Sequence, residues 1–281
     1  MELLRYRVKS THRNFSLRPF GDLQMGEAGF RKDLWERWKR DAAADKNALF
    51  IGMGDYSDRF RGTVAKKLRG ALVDDYSAWG EMDEWAMKEM QSLADELKPI
   101  KERIIGLHCG HHHWQMKHGG CTCQYLCQLL RVKHLGFVAM IQLVHDRIGD
   151  VNTINIYSTH GCGGAASVSA DLANLERKIM PNWEADLYLR AHSTRAYFIE
   201  SQPLSYLAYR RGKNEEIPVL KKKKRLLVNT GGFMEGYVEG EQGYVEKSNM
   251  PQINLGWCVV NFNARPDGEE SLHISVQVET E

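Results

Sequence analysis

Arg103-Ile104-Ile105-Gly106-Leu107-His108-Cys109-Gly110-His111-His112-His113-Trp114 is the stretch around which the rest of the chain reads. Ile104 to Leu107 is a short apolar run of the kind that forms a buried strand. Gly110 breaks the run, and three histidines follow at once. A strand that ends in a glycine-punctuated turn is where open α/β sheets place their chemistry. Neighbouring side chains on a turn diverge, so His111 and His112 can do different work. One can bind a metal while the other moves a proton. The plainer reading is a surface loop rich in histidine; the run is internal and follows a core strand, which separates it from a terminal tag.

The 281 residues are 43% hydrophobic and 26% charged, an ordinary globular mixture that is most simply counted as one domain, residues 1–281. Net charge is +2, so no global basic signature demands nucleic acid. No apolar run approaches the ~20 residues that span a bilayer. The start, Met1 to Arg7, lacks an apolar signal region. The expectation is a soluble cytoplasmic protein with no membrane partner. Cys121, Cys123 and Cys127 are too clustered for a secreted disulfide framework. With His118 nearby they could hold a structural zinc, but the spacing matches no common zinc module, and Cys123 and Cys127 stand at helical spacing. Reduced, partly buried thiols are the expectation there.

Working outward, Phe15 to Phe20 and Ala48 to Met53 read as buried strands, each running into a Gly-Asp pair. Glu27 to Ala44 reads as an amphipathic helix, and Ala65 to Tyr76 as a helical excursion. Met82 to Leu97 is the clearest helix, with Trp85, Met87, Met90, Leu93 and Leu97 as its stripe and Pro99 ending it. Gln124 to Val132 and Ser167 to Met180 are predicted helical. Phe137 to His145, Val151 to Tyr157 and Asp186 to Arg190 are predicted strands. Tyr197 to Glu200 and Ser205 to Tyr209 read as an antiparallel pair. The run Lys221-Lys222-Lys223-Lys224-Arg225 fits a solvated hairpin or edge strand, where lysines block unwanted pairing, better than a contact for phosphate backbone. Leu226 to Asn229, Trp257 to Asn263 and Leu272 to Val278 complete the strands.

Five strand ends then carry ligand-type residues: Asp22 with Gln24, Asp55 with Asp58, His111 with His112, His160, and His192. A single Gly-Asp pair is more often a turn than a ligand; five such endings in one chain are hard to reach by chance. The pattern resembles the calcineurin-like metallophosphoesterases, and among them phage-type members. The matching stretches are Gly21-Asp22-Leu23-Gln24, Gly54-Asp55-Tyr56-Ser57-Asp58, Gly110-His111-His112-His113, His160-Gly161 and Ala191-His192-Ser193-Thr194. Asn229-Thr230-Gly231-Gly232-Phe233 also looks like phage-type relatives, for which the compartment is the host cytoplasm.

The resemblance implies an α/β fold, a four-layer α-β-β-α sandwich of two mixed sheets, and a metal-dependent phosphoesterase. It implies one metal site from Asp55, His111, His160 and His192, with His111 standing where the family has Asn. The other site, from Asp22, Gln24, Asp55 and Thr194, lacks two of the family's histidines. Carbonyl and hydroxyl oxygens bind zinc-like ions less well than imidazole, so the expected centre is asymmetric: a tight site, and a weak one for Mn²⁺ or Mg²⁺, or none. The metal is one of Mn, Zn, Mg or Fe. His112 takes the position that serves the leaving group, and Asp58 would orient it. Gly161 and Gly163 could offer backbone N–H groups to a phosphate oxygen. Arg59, Arg61 and Arg195 flank the motifs and could grip substrate phosphates. The implied partner is a phosphate ester, with nucleotides or nucleic acid in view. The competing reading is a metal-binding scaffold or nucleic-acid-binding module without catalysis.

Overall fold

In the computed structural model, the residues described are 1–8, 14–58, 76–147, 150–163, 168–211, 216–241, 244–247, 249, 252, 254–264 and 272–281. In chain order they form β1 (Glu2–Val8), β2 (Phe15–Phe20), α1 (Lys32–Ala44), β3 (Ala48–Gly52), α2 (Tyr76–Leu97) and β4 (Ile104–Leu107). There follow α3 (Thr122–Leu130), β5 (Lys133–His134), β6 (Val138–Arg147), β7 (Asp150–Thr159), α4 (Val168–Asn174) and β8 (Leu187–Arg190). The last elements are β9 (Ala196–Arg211), β10 (Glu216–Gly232), α5 (Tyr244–Lys247), β11 (Gly256–Ala264) and β12 (Leu272–Thr280).

The strands run in the order β1-β6-β7-β8-β10-β11-β2-β3-β4-β5, with β9 added to β10 and β12 to β11. Strands β2 to β5 are mutually parallel, as are β7, β8 and β10, while β6–β7, β9–β10 and β11–β2 are antiparallel. The sheet is therefore mixed. Its two halves meet at the end of β10, where Gly231 and Gly232 pair with Trp257 and Gly256 of β11. The hydrogen-bonded path is continuous there through those two residue pairs.

Burial explains the patterns. β3 and β4 are buried along their whole length, so they read as unbroken apolar runs rather than alternating ones. Leu17, Ile51 and Ile105 from one half share a cluster with Leu143, Ile156 and Leu189 from the other. The opposite side of β2–β4 is covered by Trp35 and Trp38 of α1, Leu93 and Leu97 of α2, and Leu126 of α3. Leu172 of α4 packs with Tyr157, Tyr188 and Leu227. No helix among the described residues is long and apolar enough to cross a membrane.

Several expectations are corrected. Helix α1 starts at Lys32, not Glu27, because Gly29 and Arg31 are held in backbone hydrogen bonds with Glu235 and Phe233. Trp85 is 47% exposed and off the stripe of α2, which consists of Ala86, Met90, Leu93, Ala94 and Leu97. The supposed pair Tyr197–Glu200 and Ser205–Tyr209 is one strand, β9, whose partner is β10. Ser201-Gln202-Pro203 looks like a turn in sequence, yet the ladder merely shifts register opposite it, between Lys223 and Arg225. A bulge is where a strand tolerates a residue with no N–H. The lysine run lies within this β9–β10 hairpin, with Lys223 against Glu184 and Asp186 and Lys224 against Glu200. Strand β1, unassigned from sequence, pairs parallel with β6 and turns Leu4, Tyr6 and Val8 inward. The excursion predicted over 65–76 lies outside the described residues except for Tyr76.

Arg103, the first residue of the stretch quoted above, explains how α1 is fixed to the sheet. Its guanidinium lies 5.0 Å from the Phe50 ring centroid and donates to the carbonyls of Asp45, Ala48 and Ala42. These are the carbonyls at and just beyond the end of α1, which a cation satisfies best. Arg103→Ala is expected to cost about 2–3 kcal/mol, read as a fall in Tm of roughly 5 °C. Arg103→Lys should recover little of it, since one ammonium cannot span three carbonyls.

Candidate metal centre

Parallel strands deliver their following turns to one edge, and here those turns are stitched together by the backbone. Asp22 N–H donates to Gly54 O, Gln24 N–H to Asp55 O and Met25 N–H to Tyr56 O, at 2.9–3.1 Å. His108 N–H reaches Gly52 O at 2.8 Å, and Ala191 N–H reaches His160 O at 3.2 Å. His112 N–H donates to Asp55 Oδ1 and His192 N–H to Asp22 Oδ2, at 2.9 and 2.8 Å.

The backbone here is strained. Of the seven non-glycine residues with positive φ among those described, five are Asp22, Gln24, Asp55, His192 and Thr194. Each costs of order 1–3 kcal/mol in that region and persists only where its surroundings over-determine it. Aspartate visits it readily; a β-branched threonine does so rarely.

Four donors converge. One ligand atom each from Asp55, His111, His160 and His192 can be chosen so that all four lie within 4.8 Å of one another. Asp55 and His160 are buried, His192 is half-buried and His111 is exposed, so the cluster is walled on one side and open on the other. His160 Nδ1 lies 2.7 Å from Met53 O. A carbonyl only accepts, so Nδ1 carries a proton, and Nε2 faces Asp55 Oδ2 at 3.1 Å. Two acceptors so placed require a proton or a cation. His160 Nε2 and Asp22 Oδ1 are both buried with no hydrogen-bond partner in the protein.

Burial pulls the His160 imidazole down, but the adjacent Asp55 carboxylate outweighs it and pushes it up to about 9. Asp55 is raised by burial and lowered further by His160 and His112, ending well below the ordinary carboxylate range. Burial together with the charge of His160 pushes His192 down to about 4, and lowers His111 as well. Asp55 is ionised and His192 and His111 are neutral, ready donors, and His160 joins them once an ion displaces the proton it shares with Asp55. The residues present thus fit a metal ion, and the nitrogen-rich set suits a transition metal. Asp22 stands just outside the four. Burial, opposed by His160 and helped by Asp55, pushes its carboxyl up to about 7.

His112 is held apart from the cluster. Its Nδ1 hydrogen-bonds Asp58 Oδ1, and its Nε2 lies 3.8 Å from Asp55 Oδ2. Burial lowers this imidazole, while the Asp58 hydrogen bond and the charges of Asp55 and Asp58 raise it further, for a net rise. His113, for which the sequence suggests no role, hydrogen-bonds Gly110 O through Nδ1 at 2.8 Å and so braces the turn.

Other expected residues are placed less simply. Gln24 is half-buried. Thr194 Oγ1 donates to the carbonyl of Ser193 at 2.8 Å. Gly161 N–H donates to Thr159 Oγ1 at 3.0 Å, which takes it from a phosphate, and Arg190 Nη2 holds the carbonyls of Cys162 and Gly163. Arg59 and Arg61 lie outside the described residues. A second donor cluster, Cys109, Cys123 and His134, was missed from sequence. His134 lies 25 residues from Cys109, and no spacing rule joins them. His118, the histidine expected beside these thiols, is exposed.

No protein-family model matches the chain, and no curated protein matches it. Among solved structures it is similar to Vps29 of Chaetomium thermophilum, with 11% identity over 95% of this chain and 97% of that one, at a TM-score of 0.38. A likeness that loose leaves the donor geometry as the ground for any functional conclusion.

Proposed function

We propose that the chain is a calcineurin-like metallophosphoesterase with a four-layer α-β-β-α arrangement, hydrolysing phosphodiester or phosphomonoester bonds of nucleotides or nucleic acid. The observation that carries this is the adjacency of the four-donor cluster to the His112–Asp58 pair. Asp55, His111, His160 and His192 would hold a divalent ion of the Mn, Zn, Mg or Fe class; Asp22, Gln24 and Asp55 are the groups for a second, weaker one. When bound, such an ion supplies neutralisation of phosphate charge and activation of water.

The chain's own residues do the rest. Asp58 fixes the His112 tautomer and raises its affinity for a proton, so Nε2–H is the group that serves the departing oxygen. Asp55 accepts the His112 backbone N–H, which locks the distance between donor cluster and acid. Exposed His111 marks the side from which a phosphate enters.

A non-catalytic metal-binding scaffold or nucleic-acid-binding module is the second reading. The absence of imidazole from the weaker site favours it, since Gln24 and Thr194 offer only neutral oxygens there.

With Mn²⁺ present, the protein is expected to hydrolyse a chromogenic phosphodiester. His112→Ala should lower kcat by about 10²–10⁴-fold, the usual worth of a general acid, with bound metal per chain unchanged. No turnover with any divalent ion would leave the scaffold reading standing. Full turnover in His112→Ala would remove the acid from the scheme.

A further inference from the structure

Behind the histidine turn lies the second cluster, which shares no residue with the first. Cys109 follows β4 and stands one residue ahead of Gly110. Cys121 is the N-cap of α3, its N–H donating to Gln124 Oε1 at 3.0 Å, and Cys123 is in the first turn. His134 ends β5. All three thiols are free and buried. Donor atoms of Cys109, Cys123 and His134 lie within 4.8 Å of one another. Cys109 Sγ is 3.3 Å from His134 Nε2; Cys121 Sγ lies 3.6 Å from Cys109 Sγ but outside the group of three.

The distances discriminate. Zinc bonds of ~2.3 Å to sulfur and ~2.0 Å to nitrogen, set tetrahedrally, give S···S edges near ~3.8 Å and S···N edges near ~3.6 Å. The Cys109–His134 separation falls within ~0.3 Å of the S···N edge. A surface cleft of 650 Å³, lined in part by Cys121, Gln124, Cys127 and His134, gives an ion a way in. Two sulfurs and one imidazole from separate segments form a soft donor set of the kind zinc prefers.

We propose that Cys109, Cys123 and His134 bind one zinc ion. Binding expels the thiol protons to solvent and ties the end of β4 to α3 and β5. Cys109 precedes Gly110-His111-His112 directly, so the ion would anchor the turn that presents the histidines of the first centre. Cys127 stays outside the set; its Sγ is directed at Lys133 O.

Cobalt distinguishes the two centres, because only this one contains sulfur. Reduced full-length protein titrated with Co²⁺ is expected to show thiolate-to-cobalt charge-transfer absorption saturating at one ion per chain. The band should persist in Asp55→Asn and vanish in Cys109→Ser and in Cys123→Ser. Its absence from reduced wild-type protein, or its survival in Cys109→Ser, would overturn the proposal. Should the serine variants fail to fold, thiol labelling of native wild-type protein decides. Zinc-loaded protein should protect about two more thiols than chelator-treated protein, the number of sulfur ligands in this site; equal labelling overturns the assignment.

Discussion

Asp55→Asn is expected to strip the first centre of its metal and take hydrolysis down to the level of buffer. The substitution keeps the shape of the side chain and removes its charge. Asp55 is 2% exposed and is the only carboxylate in the four-donor cluster; the other three members are imidazoles. An amide in its place offers one neutral oxygen. Its NH₂ group must then face either the backbone N–H of His112, which now donates to Oδ1, or Nε2 of His160, which sits 3.1 Å from Oδ2. Either choice sets a donor against a donor or leaves His160 without its counter-charge. Losing a mere supporting partner of a ligand costs 10–100-fold in metal affinity, so losing the carboxylate itself should exceed about 100-fold. The measurement is metal per chain after dialysis, beside turnover of the chromogenic diester at saturating Mn²⁺. Turnover within tenfold of wild type would place the chemistry elsewhere in the molecule. Thermal unfolding of metal-free protein should change far less than turnover, because the variant also relieves the repulsion between Asp55 and Asp22.

Why this centre is legible in sequence, and what is not, follows from how each feature is encoded. β2, β3 and β4 are parallel neighbours; β3 and β4 are buried deeply enough to read as plain apolar runs, β2 carries Ser16 and Arg18 between its apolar residues, and each ends at a glycine or a polar turn. Parallel strands present their carboxyl ends at one edge, so the residues after each run meet by topology rather than by spacing. The positive φ of Gln24, His192 and Thr194 could not be read, because nothing in those residue types asks for it; tertiary hydrogen bonds impose it. The β9 error has the same root. Pro203 is a turn signal locally, and only the partner strand shows that the ladder resumes beyond it. Trp85 misled because its size suggests a core position, whereas the stripe of α2 is set by Ala86, Met90, Leu93 and Leu97. His134 ends β5 and Cys109 lies just past the adjacent β4, a juxtaposition visible only once the sheet order is known.

Gly110→Ala tests whether close approach of backbones, rather than ligand identity alone, builds the centre. A Cβ on Gly110 would overlap Asp55 Oδ1 and the Asp55 backbone nitrogen. Neither can yield. The carboxylate oxygen is buried and already accepts from His112 N–H, and the nitrogen belongs to a residue held at φ 51° between two hydrogen-bonded turns. The opposing surface is equally tight, since a Cβ on Gly54 would lie 2.7 Å from Gly110 N. Overpacking by one methyl usually costs 1–3 kcal/mol where flexible side chains can move aside. Here the obstacles are backbone and a pinned carboxylate, so about 3 kcal/mol or more is expected, a fall in Tm on the order of 5–10 °C. Any relief must push the 110–113 turn outward, which carries His111 away from His160 and His192 and breaks the His112 contact to Asp55. Metal binding and turnover should therefore fall together with stability. Gly80 supplies the contrast: it lies inside α2, and a Cβ there meets nothing within 4 Å. Gly80→Ala should raise stability by roughly 0.5–1 kcal/mol through backbone entropy alone. A Gly110→Ala protein that melts like wild type and holds its metal would show that the turn has room the geometry does not allow.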